Sequence, residues 1–441
     1  MKQPLLIIGH TFPEPSTTAA GCRMMQLIEL FSETGYTITF ASTALASERS
    51  VNLERLHITT QAIQLNNASF DAFVSDLNPS VVVFDRYITE EQFGWRVAEH
   101  CPHALRILDT EDLHFLRKAR ETAVKAGIPV EEANLYTDIA KRELTSILRS
   151  DLSLLISEVE LALLQNTFNI APGILHYLPF LVDEVSEAAT SNLYSFEERG
   201  GFVTIGNLLH APNVDALLYL KKEIWPLIRK ELPEALMLCY GSYAPQQILE
   251  LHDEAEGFLI KGWAPKVSDV FLYGRVCLAP LRFGAGLKGK LLDAMVYGIP
   301  SVTTPIGAEG MHGTLPFAGS VTHDPIAFAK ASVALYNNKI NWLQAQQNGF
   351  QILAQGFQKS EYVSEFIEII SRLQKDLSKH RTDHFIGQVL QHQSLQSTKY
   401  LSKWIEAKNT SASRQASSKV CFEDSDEVRP DYRFRRDEEA D

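Results

Sequence analysis

Short apolar runs alternate with amphipathic stretches along most of the chain. Residues 5–9, 36–41, 80–85, 105–109, 152–157 and 174–178 read as buried strands. Helical periodicity fills the gaps at 22–33, 93–100 and 158–165, and across 113–149, where Gly127-Ile128-Pro129 breaks the run into two helices. Periodicity lapses through 181–199 and then resumes. Strands are expected at 202–206, 236–240, 258–261, 275–280 and 301–303, with helices at 214–229, 246–253, 289–297, 325–335, 340–354 and 361–376. Strands that alternate with helices imply parallel, doubly wound sheets. The expected architecture is therefore α/β, two tandem Rossmann-like domains at 1–180 and 200–360 with a cleft between them. A linker at 181–199 joins them, a closing helix spans 361–377, and a polar tail occupies 378–441. Part of the tail, 385–408, keeps a helical pattern, and the stretch from about 409 reads as disordered.

The densest chemistry lies at 275–311, where strand, glycine loop, helix and second strand follow one another. Gly284, Gly286 and Gly289 leave a backbone without Cβ atoms that a ligand can approach closely. The helix that follows offers its N-terminal N–H groups to an anion, and Lys288 and Lys290 add full charge at the same end. Asp293, one turn further on, supplies an acceptor suited to ribose hydroxyls. The G-x-G-x-x-G spacing by itself is a weak signal, and Lys290 with Asp293 also fits an ordinary exposed helix pair.

Composition narrows the setting. With 441 residues, 45% hydrophobic content and a net charge of −13, the chain can bury a large core and is a poor ligand for nucleic acid. Any phosphate site must be local. The five cysteines show no metal or redox spacing, and the N-terminal apolar run is too short for a signal peptide, which points to a reducing cytoplasm.

Doubly wound sheets bind ligands beyond the C-terminal ends of their strands, which directs attention to particular loops. After the first strand, Thr17, Thr18 and Gly21 either admit a ligand or cap a helix, and Arg23 faces either a phosphate or solvent. Asp109, Glu111, Asp112 and His114 crowd the end of another strand, so that Asp112 and His114 become candidates for substrate contact. In the second half, Gly206 and Asn207 end a strand that faces the glycine loop. Trp263 offers a flat ring that covers a base or packs in the core, and Glu309 either reaches the sugar end of a ligand or lies in solvent.

The stretches Pro280-Leu-Arg-Phe-Gly-Ala-Gly-Leu-Lys-Gly-Lys-Leu-Leu-Asp-Ala-Met-Val-Tyr-Gly-Ile-Pro300 and Thr303-Thr-Pro-Ile-Gly-Ala-Glu-Gly310 resemble the retaining glycosyltransferases of the GT-B fold, family four (group 1). Gly206-Asn207, Pro212-Asn213-Val-Asp215, Glu223-Ile-Trp-Pro226 and Asp109-Thr-Glu-Asp-Leu-His-Phe-Leu-Arg117 support that resemblance. It implies a nucleotide diphosphate sugar as donor substrate, with no cofactor and no metal. The donor would be held mainly in the second domain by Gly206, Asn207, Arg282, Gly284, Gly286, Lys288, Lys290 and Asp293. It further implies a glycan or lipid-linked saccharide as acceptor on the first domain, near Thr17, Thr18, Gly21 and Arg23. Asp112, His114 and Glu309 would stand at the reacting centre, and the closing helix would cross back to the first domain. A lipid-linked acceptor would allow peripheral association with the inner face of the cell membrane. The family often carries two glutamates eight positions apart; here Asp293 stands at the second position and Ala285 at the first. The basic pair that members place after the second domain's first strand is absent between Gly206 and Pro212. These departures leave a second reading, a catalytically silent protein of the same fold that binds nucleotide sugar or glycan. A nucleotide-sugar epimerase is a third, but it would be expected to pair carboxylates with histidines around the sugar.

Overall fold

A computed structural model describes residues 3–184 and 193–420. Seven strands, β1 (Gln3–Gly9), β2 (Tyr36–Ser42), β3 (Thr59–Ala62), β4 (Val81–Asp85), β5 (Leu105–Asp109), β6 (Leu152–Leu155) and β7 (Leu175–Tyr177), form one parallel sheet in the order β3-β2-β1-β4-β5-β6-β7. Six more, β8 (Phe202–Ile205), β9 (Met237–Tyr240), β10 (Phe258–Gly262), β11 (Val276–Ala279), β12 (Ser301–Thr303) and β13 (Gly319–Val321), form a second parallel sheet in the order β10-β9-β8-β11-β12-β13. This is the expected pair of Rossmann-like domains.

Both faces of each sheet are covered by helices, so central strands are apolar throughout. In β4, Val82 and Phe84 point into one core and Val81 and Val83 into the other. The strand order reverses between β1 and β4 and again between β8 and β11. Such a reversal opens a crevice at the C-terminal strand ends. The two crevices face one another, and the glycine loop at 284–289 meets the first domain between them.

The differences from expectation have local causes. β3, β13 and the helix Ser69–Leu77 were not anticipated; β3 is a mostly exposed edge strand of polar sequence, so it carries no apolar run. The helix expected over 214–229 is divided, as Ala211–Tyr219 and Trp225–Glu231, by a wide turn at Leu220–Ile224 just ahead of Pro226, whose missing N–H interrupts the ladder. Lys359–Lys375 is the helix expected to close the fold; its Phe366, Ile370 and Leu373 sit in the first domain's core beside Leu5, Ile7 and Phe31. The stretch expected to be disordered from about 409 is helical as far as 420, as the end of the single helix Phe385–Val420. Residues 421–441, which include an Asp-x-Asp pattern (Asp424-Ser-Asp426) discounted as a metal site, and most of the expected linker, 185–192, lie outside the described residues.

Candidate active site

The glycine loop after β11 is fastened to the first domain by its own backbone. Gly286 has φ +62°, and a Cβ there would lie 2.9 Å from Asp112 Cβ and 3.1 Å from Ile156 Cδ1. Its N–H donates to Glu160 Oε1 at 2.7 Å, and Leu113 N–H donates to the same oxygen at 3.0 Å. One buried carboxylate thus joins a turn of each domain. Burial, reinforced by Asp112, pushes the Glu160 carboxyl up to about 8, and its Oε2 has no hydrogen-bond partner. Gly286→Ala is expected to wedge the domains apart without unfolding either, reducing turnover more than tenfold while shifting Tm by only a few degrees. Steady-state kinetics beside a thermal melt checks this.

Of the two loop lysines, only Lys290 faces the second domain's crevice. Lys288 is buried and donates to its own loop, to Ala285 O at 3.1 Å and Gly286 O at 2.5 Å, so it braces the glycines. Lys290 Nζ donates to Asn213 Oδ1 at 2.8 Å, and Asn213 Nδ2 donates to Asn207 O at 2.9 Å. The side chain of Asn213 fills the space a Cβ at Gly206 would need. Gly206, Asn207, Asn213 and Lys290 therefore form one wall. Among the described residues Lys290 has no carboxylate within ion-pairing distance. Burial pushes its ammonium down to about 8.

Asp293 lies on the same helix, one turn on, and acts on Cys22 of the first domain and Cys277 of β11. Burial alone pushes its carboxyl up to about 7. The thiol of Cys22, in the first domain, is pushed up to about 12 by burial, then by Asp293 and Glu111. Carboxylates from both domains therefore act on the first turn of Ala19–Glu33. That helix and Gly289–Val296 meet end to end: a Cβ on Gly289 would lie 3.0 Å from Ala19 Cβ. Two N-terminal dipole ends thus converge beside Lys290 and Asp293.

On the first domain, His114 and Asp112 come together as expected. His114 Nδ1 is 3.7 Å from Asp112 Oδ1 and 3.4 Å from Glu143 Oε1. Glu143 also accepts the N–H groups of His114 at 3.0 Å and Phe115 at 2.8 Å. Asp112 lies 3.1 Å from Arg117 Nε, and although burial opposes it, Arg117 and His114 hold its carboxyl below the ordinary value. Arg117 also reaches His210 of the second domain, with 2.7 Å between its terminal nitrogen and Nε2. Burial and that guanidinium drive the His210 imidazole down to about 4, so it is neutral and accepts the bond.

Four expectations are corrected. Glu309 does not lie free in solvent: Arg120 holds both of its oxygens, at 2.7 and 2.8 Å, and also donates to Gly284 O at 2.9 Å. Arg282 is paired with Asp215 at 2.8 Å and lies 5.0 Å over the Tyr219 ring, so it is spent on the helix Ala211–Tyr219. Arg23 is fully buried, and faces neither a phosphate nor solvent; it donates to Pro179 O at 2.8 Å and lies 3.4 Å from Asp109. Lys288, as above, braces the loop. Thr18 caps its helix by accepting Gly21 N–H at 2.8 Å, Thr17 Oγ1 donates to Glu14 Oε2 at 2.8 Å, and Gly21 admits the backbone of Glu14. Trp263 is half-exposed rather than core. Its Nε1 donates to Ser16 O at 3.3 Å, and the guanidinium of Arg49 lies 5.0 Å from its ring and 4.6 Å from that of Tyr243.

Sequence reasoning missed several groups. Glu160 and Arg120 sit on ordinary helices, and only the folded chain brings them to the glycine loop. Asp85, which the sequence did not single out, joins Asp109 and Glu111 in a buried set at the ends of β4 and β5; one oxygen of each accepts no hydrogen bond, although Asp85 Oδ1 lies 3.3 Å from Arg86 Nε. Burial, then Asp109, pushes the Glu111 carboxyl well up. Arg86 (φ +72°) and Glu111 (φ +64°) take left-handed backbone that non-glycine residues adopt at a cost. The strand-end position was the available signal for Asp85 and Arg86.

Two facing doubly wound sheets, a glycine loop locked across the cleft and a helix that returns to the first domain define one architecture. The chain has the GT-B fold. Comparison with known proteins agrees: residues 199–338 match the model of the family Glycosyl transferases group 1. Sucrose-phosphate synthase from Thermosynechococcus elongatus superposes with a TM-score of 0.64 at 13% identity, over 84% of this chain and 99% of that one. HepE from Anabaena, in complex with UDP and glucose, superposes at 0.58 and 13% identity, over 84% of this chain and all of that one (100%). In sequence, an uncharacterized 44.6 kDa protein in the cps region of Klebsiella pneumoniae is 23% identical over 171 residues. That match spans 37% of this chain and 44% of the Klebsiella protein. At these identities the GT-B likeness bears on fold, and the chemistry rests on the residues above.

Proposed function

We propose that this GT-B protein transfers a sugar from a nucleotide diphosphate sugar to a glycan or lipid-linked saccharide, with retention of configuration. The observation that carries the reading is Lys290: a half-buried, desolvated ammonium without a carboxylate partner among the described residues, at the N-terminus of a helix, in the crevice of a doubly wound sheet. Uncompensated positive charge at a helix N-terminus favours an anion. A diphosphate fits it, and Asp293 then accepts from the ribose hydroxyls. That HepE was captured with UDP and glucose is consistent with such a donor.

In the reaction the bond from the anomeric carbon to the donor phosphate breaks, and a bond from the acceptor oxygen forms on the same face of the ring. The acceptor proton passes to the departing phosphate oxygen. Lys290 and the helix N-terminus stabilise the charge that develops there, which removes the need for a divalent ion. Glu111, Asp112 and His114 bound the space opposite, where acceptor hydroxyls require hydrogen-bond partners. The test is a panel of nucleotide diphosphate sugars, followed for sugar release and transfer with and without chelator. At least one donor is expected to turn over, at a rate the chelator leaves within about twofold. Saturable binding with no turnover of any donor would instead establish the silent binding protein.

A further inference from the structure

The helix Phe385–Val420 lies on the first domain with one face and leaves a hydrophobic stripe on the other. Its inner face is tightly docked. A Cβ on Gly387 would lie 2.3 Å from Leu148 O. Ser402 is buried and accepts from Arg96 at 3.1 Å, Lys399 pairs with Glu99 at 2.6 Å, and Glu406 Oε1 accepts Ala68 N–H at 2.6 Å. The helix is therefore held in a fixed orientation against the helices Arg86–His100 and Asp138–Arg149. At 100° per residue, Ile386, Val389, Tyr400, Leu401 and Trp404 fall within about 60° of one line on the opposite side. All five are exposed, Tyr400 by 66% and Trp404 by 59%. Lys403 and Lys408 are also exposed, and Lys408 Nζ lies 4.9 Å over the Trp404 ring.

We propose that this stripe is the surface by which the protein docks on an anionic lipid bilayer. Three observations favour lipid over a protein partner. Along 385–410 the exposed lysines are Lys403 and Lys408, while Lys399 pairs with Glu99 and the single acidic residue, Glu406, is engaged by Ala68 N–H, in a chain whose net charge is −13. This locally basic patch on an acidic protein complements anionic headgroups. The exposed apolar residues include tyrosine and tryptophan beside lysines, the mix that settles at the headgroup level. And the stripe is interrupted: between Val389 and Tyr400 the sequence runs Leu-Gln-His-Gln-Ser-Leu-Gln-Ser-Thr-Lys, with no sustained heptad for a partner helix. The helix is not long and apolar enough to cross a membrane, so the contact is interfacial. Docking presents the first domain to the bilayer, whatever reaction the cleft performs.

Flotation of the full-length protein with vesicles tests this independently of any sugar transfer. Binding is expected to vesicles of phosphatidylcholine with phosphatidylglycerol, to be weak on phosphatidylcholine alone, and to fall with salt. The double variant Tyr400→Ser, Trp404→Ser and the double variant Lys403→Glu, Lys408→Glu are each expected to lower vesicle affinity at least tenfold with unchanged melting and donor binding. These side chains are exposed, so folding is preserved. Absence of wild-type binding to the anionic vesicles overturns the proposal, as does binding that both variants retain. A dimer that Tyr400→Ser, Trp404→Ser dissolves, without vesicle binding by the wild type, would assign the face to a second copy of the chain.

Discussion

Lys290→Met is expected to lower kcat/KM for the donor by about a hundredfold to a thousandfold, with the larger share in kcat. Methionine keeps the apolar stem and loses the ammonium with its hydrogen bond to Asn213 Oδ1, so the stability of the fold changes little. The same lysine sets a pH dependence. In the free protein its ammonium titrates at about 8, and a bound diphosphate favours the charged form. Donor affinity should therefore weaken as pH rises above about 8. Asp293, pushed up to about 7 by burial, acts in the opposite sense: a carboxylate that accepts ribose hydroxyls must ionise, so affinity should weaken as pH falls below about 7. Donor binding is expected to peak between these values. Titration calorimetry in buffers of different ionisation enthalpy should show proton uptake on the alkaline side, and Lys290→Met should abolish it. A flat profile for the wild-type protein would remove Lys290 and Asp293 from the donor site.

Glu160 is expected to make the folded protein less stable as pH rises from about 5 to about 8. Its carboxyl titrates at about 8 in the fold and near 4.5 when exposed, so the fold favours the protonated form. That stabilisation is complete below the unfolded value and is lost as pH climbs through the folded one. For a fully buried group the effect is on the order of 3 kcal/mol. Glu160→Gln keeps an oxygen for the N–H groups of Leu113 and Gly286 and has no proton to lose. Its urea midpoint should vary less between pH 5 and 8 and exceed that of the wild type at the upper end. Glu160→Ala removes the shared acceptor and should loosen the glycine loop, with a turnover loss of about tenfold or more. If the midpoints of wild type and Glu160→Gln follow the same pH curve, Glu160 does not carry the slope.

Both expectations concern groups of very different legibility. Lys290 was readable because a glycine loop, a lysine and a helix start lie within seven residues of sequence, and local geometry alone places that charge at a helix N-terminus. Glu160 was not readable. It lies on a short helix 126 positions before Gly286, and its sequence neighbours suggest only a solvated helix end. Arg120 and Glu309, 189 positions apart, look like surface charges until the cleft brings them into a bidentate pair. Lys288 shows the limit from the other side. Its position matched a phosphate ligand as well as that of Lys290, but χ-angle choice turned its ammonium onto its own loop carbonyls.

The two doubly wound domains, the strand ends that line the cleft and the glycine loop with its two lysines were all legible in the sequence. Each follows from interactions among residues close in the chain, through apolar periodicity, glycine and helix termini. Only the tertiary structure decided which charges are free and which are spent. Burial and ion pairing depend on residues a hundred or more positions away, and a change of one partner alters both the protonation and the role of a side chain. The same holds for the helix Phe385–Val420. Its composition is merely polar with scattered apolar residues, and it became a candidate lipid surface only when docking of one face fixed which residues the other exposes.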